Sequence, residues 1–150
     1  MGMRDASAVP TDRWLQTMNS VHRTAMKLTG GRVGWHLAGM PVVELTTTGR
    51  KTGEPRTVML TSPVQEGNTW IVVGSRGGDD RTPGWVFNIE ANPEVQVRFG
   101  GASQQSVTAR IATADERERL WPIVTAAQKR YAGYQSHTER VIPLVLLDRK

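Results

Sequence analysis

From Thr11 the apolar residues Trp14, Met18, Val21, Ala25 and Leu28 recur at three- and four-residue intervals, and Gly30-Gly31 follows. That spacing predicts a helix over 11–29 with one apolar stripe for docking on a core. Arg13, Arg23 and Lys27 flank the stripe, so peripheral contact with a membrane surface is a second reading of the same helix. Residues 1–10 are small and polar and are expected to be disordered.

Beyond Pro41 the pattern changes to short β-branched runs separated by turn residues. Val42–Thr48 reads as a strand, Gly49-Arg50-Lys51-Thr52-Gly53 as a turn, and Arg56–Val64 as the returning strand. Glu66-Gly67-Asn68 turns the chain into a further strand, Trp70–Ser75. A polar loop, Arg76–Gly84, leads to a short helix through Ala91, with Thr82 as the N-cap and Pro83 in the first helical position. Asn92-Pro93 ends it. Val95–Phe99 and Ser106–Ala112 form a hairpin across Gly100-Gly101. Thr113-Ala114-Asp115-Glu116 is a capping box that opens another helix, which Pro122 is expected to kink or split on the way to Tyr131. Arg140–Leu147 reads as the last strand, with Pro143 placing it at an edge or bulge. Six strands with flanking helices and no βαβ alternation predict a mainly β, α+β domain over 1–150, a closed or nearly closed antiparallel barrel.

Composition narrows the function classes. The 38% hydrophobic and 22% charged content suits a soluble globular protein. The absence of cysteine excludes a disulfide framework, a thiol nucleophile and a cysteine-ligated metal. The N-terminal stretch lacks a signal-type apolar segment, and no run is long enough to span a bilayer, so a cytoplasmic protein is expected. His22, His36 and His137 lack metal-ligand spacing, and there is no G-x-S-x-G elbow. Gly49-Arg50-Lys51-Thr52 has the look of a P-loop end without its upstream glycine or its Gly-Lys-Ser/Thr order.

The net charge of +5 comes from 19 Lys+Arg against 14 Asp+Glu. Arg50, Lys51, Arg56, Arg76 and Arg81 fall in two loop-like stretches, whereas a nucleic-acid binder tends to show a basic stripe interleaved with aromatics. The clustering favours a compact anionic small molecule. In the first stretch, two glycines would bracket a tight turn with free backbone amides beside three cations, an arrangement suited to an anion; an ordinary solvated hairpin turn is the alternative. In the second, Ser75-Arg76-Gly77-Gly78 precedes a helix whose first amides would be unpaired, with Trp85 as a flat wall and Asn88 one turn later. Alternatively Trp85 and Phe87 are core residues and Asn88 merely caps.

Three segments together, Leu45–Arg56 (LTTTGRKTGEPR), Ser75–Pro93 (the SRGG, PGW and NIEANP pieces), and Trp121-Pro122 followed by Tyr131–Pro143 (YAGYQSHTERVIP), resemble the deazaflavin-dependent nitroreductases among the split-barrel reductases that use coenzyme F420. The resemblance runs from about Val42 to the C-terminus. It implies a split antiparallel β-barrel of the flavin-reductase, FMN-binding type and an F420H2-dependent oxidoreductase. Hydride would pass from C5 of the reduced cofactor to a small electrophilic acceptor such as a quinone, an enone or a nitro compound.

By the same resemblance, Arg50, Lys51, Thr52, Arg56 and Arg76 would hold the anionic phosphate and glutamate tail. Thr57, Val58, Met59 and Leu60 would run beside the ring, and Val73, Gly74 and Ser75 would contact the ring and its linker. Gly84, Trp85, Val86, Phe87 and Asn88 would close the other side. Tyr131, Tyr134 and Ser75 are the implied catalytic residues; the two tyrosines would shape the acceptor site, and one would donate a proton. The sequence departs from the nitroreductases at Thr61, where they carry an aromatic residue, and at Gln128, where they carry a tyrosine. One extra residue follows Leu60, and Arg76 stands where lysine is common. A different acceptor pocket is therefore expected. The alternatives are FMN on the same barrel and a protein that binds F420 without turnover, as a monomer or a homodimer.

Overall fold

The computed structural model describes residues 36–37 and 39–149. The expected helix over 11–29, the tail before it and the membrane reading attached to them lie outside the described residues. Among the described residues, no helix is long and apolar enough to cross a membrane.

Eight strands make one antiparallel sheet: β1 (His36–Leu37), β2 (Met40–Thr48), β3 (Pro55–Thr61), β4 (Val64–Glu66), β5 (Thr69–Val73), β6 (Glu94–Phe99), β7 (Gln105–Ile111) and β8 (Leu144–Asp148). Beyond the short β1, the order runs β3-β2-β6-β7-β8-β5-β4, so the sheet curls round until its two ends belong to consecutive strands. The barrel is split between β3 and β4. Ser62 spans the split: its Oγ donates to Ile71 O at 2.8 Å and to Val64 O at 3.0 Å, and its backbone N–H donates to Pro41 O. Arg56–Val64 was expected as one strand; Ser62-Pro63 divides it in two, since proline has no N–H for a ladder.

Three helices complete the described chain: α1 (Gly84–Ala91), α2 (Ala114–Ala127) and α3 (Arg130–Ser136). Inside the barrel, Val43, Leu45, Val72, Val95, Val97, Phe99, Val107, Val145 and Leu147 meet Trp85, Val86 and Ile89 of α1, which plugs one end. A second core on the outer face joins Ile71, Val73, Leu144 and Leu146 to Leu120, Val124 and Tyr131 of α2 and α3. Strand β8 lies between the two cores. Its four apolar residues are buried on both faces, so it shows no alternation. Strands β6 and β7 have one wet face and alternate.

Element boundaries modify three expectations, and one motif forms as expected. The capping box forms, with Glu116 N–H donating to Thr113 Oγ1 at 3.2 Å and Thr113 N–H donating to Glu116 Oε1 at 3.0 Å. Pro122 lies within continuous α2 instead of splitting it; the break comes at Gln128, whose φ −142° and ψ 100° leave the helical region. Pro83 is itself the N-cap of α1, one residue later than expected, because its ψ of 143° is extended. The last strand begins at Leu144, not Arg140. Residues 140–143 are loop, because Arg140 and Ile142 bond to other parts of the fold instead of a neighbouring strand.

Candidate functional site

The β2–β3 turn, residues 49–54, is closed by Gly49 N–H donating to Glu54 O at 2.7 Å and Gly53 N–H donating to Gly49 O at 2.8 Å. It depends on glycine twice. Gly53 has φ +75°, and a Cβ on Gly49 would stand 2.9 Å from Thr52 Oγ1 and 3.1 Å from Glu54 O. The expected run of free amides is shorter than the sequence suggested. Those of Gly49 and Gly53 close the turn, Glu54 N–H donates to Thr52 Oγ1, and Arg50 N–H donates to Asn88.

Asn88 ties this turn to α1. It is buried, its Oδ1 accepts from Arg50 N–H at 3.1 Å and Arg50 Nη1 at 3.3 Å, and its Nδ2 donates to Thr47 Oγ1 at 3.0 Å. These bonds engage it within the fold and place Arg50 beside α1. The Arg50 guanidinium also lies 5.0 Å over the Phe87 ring, which is exposed and not core. Gly84 lies beside it, where an added Cβ would stand 3.9 Å from Arg50 Nη1, an ordinary contact distance.

Between turn and helix lies an open groove of about 410 Å³, lined by Gly49, Arg50, Lys51, Thr52, Arg56, Val58, Gly84, Trp85 and Asn88. Arg50, Lys51 and Arg56 are exposed on its rim. Glu54 approaches Arg56 only to 3.7 Å and both side chains are more than half exposed, so that pair offsets little of the charge. Val58 and Trp85 supply apolar wall and continue into the barrel core, which leaves Trp85 only 7% exposed. A ligand with an anionic end and a flat apolar body matches this donor set.

The other expected residues divide by strand alternation. Leu60 points with Val58 towards the inner core, whereas Met59 packs on Val42, and Thr57 Oγ1 is 2.8 Å from Thr46 Oγ1. Val86 is buried behind the groove, with Gly74 packed so closely that a Cβ there would lie 3.0 Å from Val86 Cγ2 and 2.8 Å from Pro143 Cγ. Val73 faces the outer core, and Ser75 is buried at the start of a 3-10 turn, Arg76–Gly78. In the same loop Arg81, grouped above with the anion-binding cations, is taken by Asp79. It donates through Nε to Oδ1 at 3.1 Å, through Nη2 to Oδ2 at 3.0 Å and through its backbone N–H to Oδ1 at 2.8 Å. Those bonds hold the Asp79 carboxyl down to about 2.

Tyr131 and Tyr134 meet edge to face, ring centroids 5.8 Å apart. Tyr131 is buried, its hydroxyl 3.3 Å from Thr61 Oγ1 and 3.9 Å from Met40 Sδ, and burial pushes its pKa up. Tyr134 is half-buried beside it. Neither lines the cationic groove. A second groove of about 400 Å³, lined by Arg117, Glu118, Trp121, Pro122 and Val141, has its arginine stacked 4.3 Å over Trp121 and bonded to Ile142 O and Gln135 Oε1. It presents no comparable cationic rim.

Sequence reasoning missed Thr47 and Arg140. The alternation of β2 places Thr47 on the inward face with Val43 and Leu45, a signal that was available. Arg140 donates to three carbonyls of the loop 74–79, and nothing in its neighbours announces that.

Comparison with known proteins places the chain in a family. The profile of the F420H(2)-dependent quinone reductase family matches residues 17–149. An F420H(2)-dependent quinone reductase of Mycobacterium tuberculosis (strain ATCC 25618 / H37Rv) is 40% identical over 147 residues, 92% of this chain and 97% of that protein. Among solved structures, an F420-H2 dependent reductase (FDR-A) is 39% identical with a TM-score of 0.62, covering 72% of this chain and 94% of its own. Another, described as a domain-swapped dimer, is 37% identical with a TM-score of 0.66, covering 86% of this chain and 96% of its own. With a matching split barrel and a cationic groove at its β2–β3 turn, this chain belongs to the F420H(2)-dependent quinone reductase family.

Proposed function

We propose that this chain is an F420H2-dependent reductase that binds the anionic end of the cofactor in the groove between the 49–54 turn and α1, and delivers its hydride to a quinone-type acceptor. The observation that carries this reading is the juxtaposition of Arg50, Lys51 and Arg56 with the apolar wall of Val58 and Trp85. The phosphate and glutamates of the cofactor match the rim, and its flat ring system matches an apolar surface. When bound and reduced, the deazaflavin supplies the hydride.

The protein contributes placement, charge and exclusion of water. Asn88 holds Arg50 over the groove, and Thr47 holds Asn88. On the loop after β5, Ser75 would meet the ring and linker and Arg76 the anionic tail, as the family resemblance implies. Quinones are the acceptors named for the relatives, and Tyr131 and Tyr134 are the residues proposed to line the acceptor side. Of the two, Tyr134 is the better proton donor, because the Tyr131 hydroxyl is engaged with Thr61 and buried. Binding and turnover assays test the reading: the protein should bind F420 and oxidise F420H2 in the presence of a soluble quinone such as menadione. Absence of F420 binding would overturn the cofactor assignment, and binding without oxidation would leave a carrier in place of an enzyme.

A further inference from the structure

Arg140 occupies an unexpected position for a cation. It sits in the loop before β8, half-buried, and spends its donors on main-chain carbonyls: Nε donates to Asp79 O at 2.9 Å, and Nη2 donates to Ser75 O at 2.9 Å and Gly74 O at 3.2 Å. Its Nη1 is buried without a hydrogen-bond partner. A buried donor left unmatched lowers stability.

The segment it grips is strained at Arg76. Arg76, Gly77 and Gly78 have φ of 48°, 65° and 86°; the two glycines take this left-handed course at no steric cost, whereas Arg76 keeps it only where its surroundings hold it there. On the other side the loop is wedged against α3. A Cβ on Gly78 would lie 2.9 Å from Tyr134 O and 3.0 Å from Tyr134 Cα. Arg140 is itself fixed by Gln135, which donates from Nε2 to Arg140 O at 2.7 Å and accepts at Oε1 from Ile142 N–H and Arg117 Nη2, both at 3.0 Å. Arg140 thus ties the loop that carries Ser75 and Arg76, through its guanidinium, to the helix that carries Tyr134, through its own carbonyl and Gln135.

We infer that Arg140 is a positioning residue for the cofactor: it holds the 75–79 loop in its left-handed course so that Ser75 and Arg76 are presented to the bound deazaflavin, without itself touching it. This rests on the cofactor reading given above. The planar fork matters more than the charge, because one lysine ammonium cannot reproduce three fixed N–H directions.

The test compares Arg140→Lys, Arg140→Gln and Gly78→Ala with the wild type by F420 fluorescence titration, steady-state kinetics and hydrogen exchange of the 74–79 amides without cofactor. All three variants should raise Kd and KM for the cofactor tenfold or more, with kcat at saturating cofactor within about twofold. Their loop amides should exchange faster while β6 and β7 keep their protection. Gly78→Ala displaces the loop from its other side with Arg140 intact, so it decides the matter if the arginine variants do not fold. Normal Kd in Arg140→Lys would mean that charge alone suffices and would overturn the inference, as would normal Kd in Gly78→Ala. If the wild type itself does not bind F420, the cofactor reading fails and the inference with it. If the wild type binds and the variants bind equally well, only the inference fails.

Discussion

At the residue scale the account turns on which polar groups are engaged within the fold and which are turned outward. Asn88 bonds to Thr47 and Arg50, so Asn88→Ala removes those bonds and leaves a buried threonine hydroxyl and a backbone amide without that partner. The expected cost is about 1–3 kcal/mol of stability, measured by denaturant unfolding, together with weaker F420 binding as Arg50 loses its place. Lys51 and Arg56 are exposed and outward-facing. Their replacement by alanine should leave stability nearly unchanged and raise the F420 Kd by about tenfold each, equivalent to about 1.4 kcal/mol. On the acceptor side, Tyr134→Phe should lower kcat by about a hundredfold or more if its hydroxyl donates the proton, whereas turnover equal to wild type would remove that role. Much of this was legible in the chain. The two glycines, the cations and Asn88 could all be picked out, because turn chemistry and charge are local properties. Engagement is not local. That Arg81 is bonded to Asp79, or that Asn88 accepts from Arg50, depends on side-chain directions that only the folded loops define.

At the scale of elements, the strands were legible wherever one face is wet. Strands β6 and β7 alternate because Glu94, Gln96 and Arg98 or Ser106, Thr108 and Arg110 face water, and the period announces the strand. Around Ser62-Pro63 and Arg140–Pro143 the extended pattern continued in sequence while the pairing stopped, because backbone groups there bond across the split or to side chains. The α2 capping box was readable, since it is specified by residues three apart. Thr113→Ala should cost about 1 kcal/mol in thermal or chemical unfolding and leave F420 binding unchanged. A loss of binding in that variant would show that α2 is coupled to the groove, contrary to the arrangement described.

For the whole molecule, two cores on either side of β5 and β8 leave the groove at the end plugged by α1 and the tyrosines against the outer core. Asp79, Glu116 and Glu66, each held below its ordinary range by an arginine, bias the folded state at low pH. Asp79 and Glu116 have folded pKa values near 2, below the ordinary 3.8 and 4.5, held there chiefly by bonds from Arg81 and Arg110. A depressed folded pKa means the unfolded chain takes up protons first. Their contribution is therefore complete above about pH 4.5 and is lost as pH falls towards 2. Thermal melts should show a falling midpoint across that window and a flat response from pH 5 to 7.

Electrostatic recognition of the cofactor makes a second demand on the whole molecule, because screening shortens from about 10 Å at 0.1 M salt to about 3 Å at 1 M. The most direct measurement is a fluorescence titration of oxidised F420 with the purified protein at low and high salt, with FMN run beside it. F420 should bind in preference to FMN, with an affinity that weakens as salt rises and weakens further when Lys51 and Arg56 are both alanine. Preference for FMN, or F420 binding indifferent to both salt and the two substitutions, would contradict the assignment of the cationic groove.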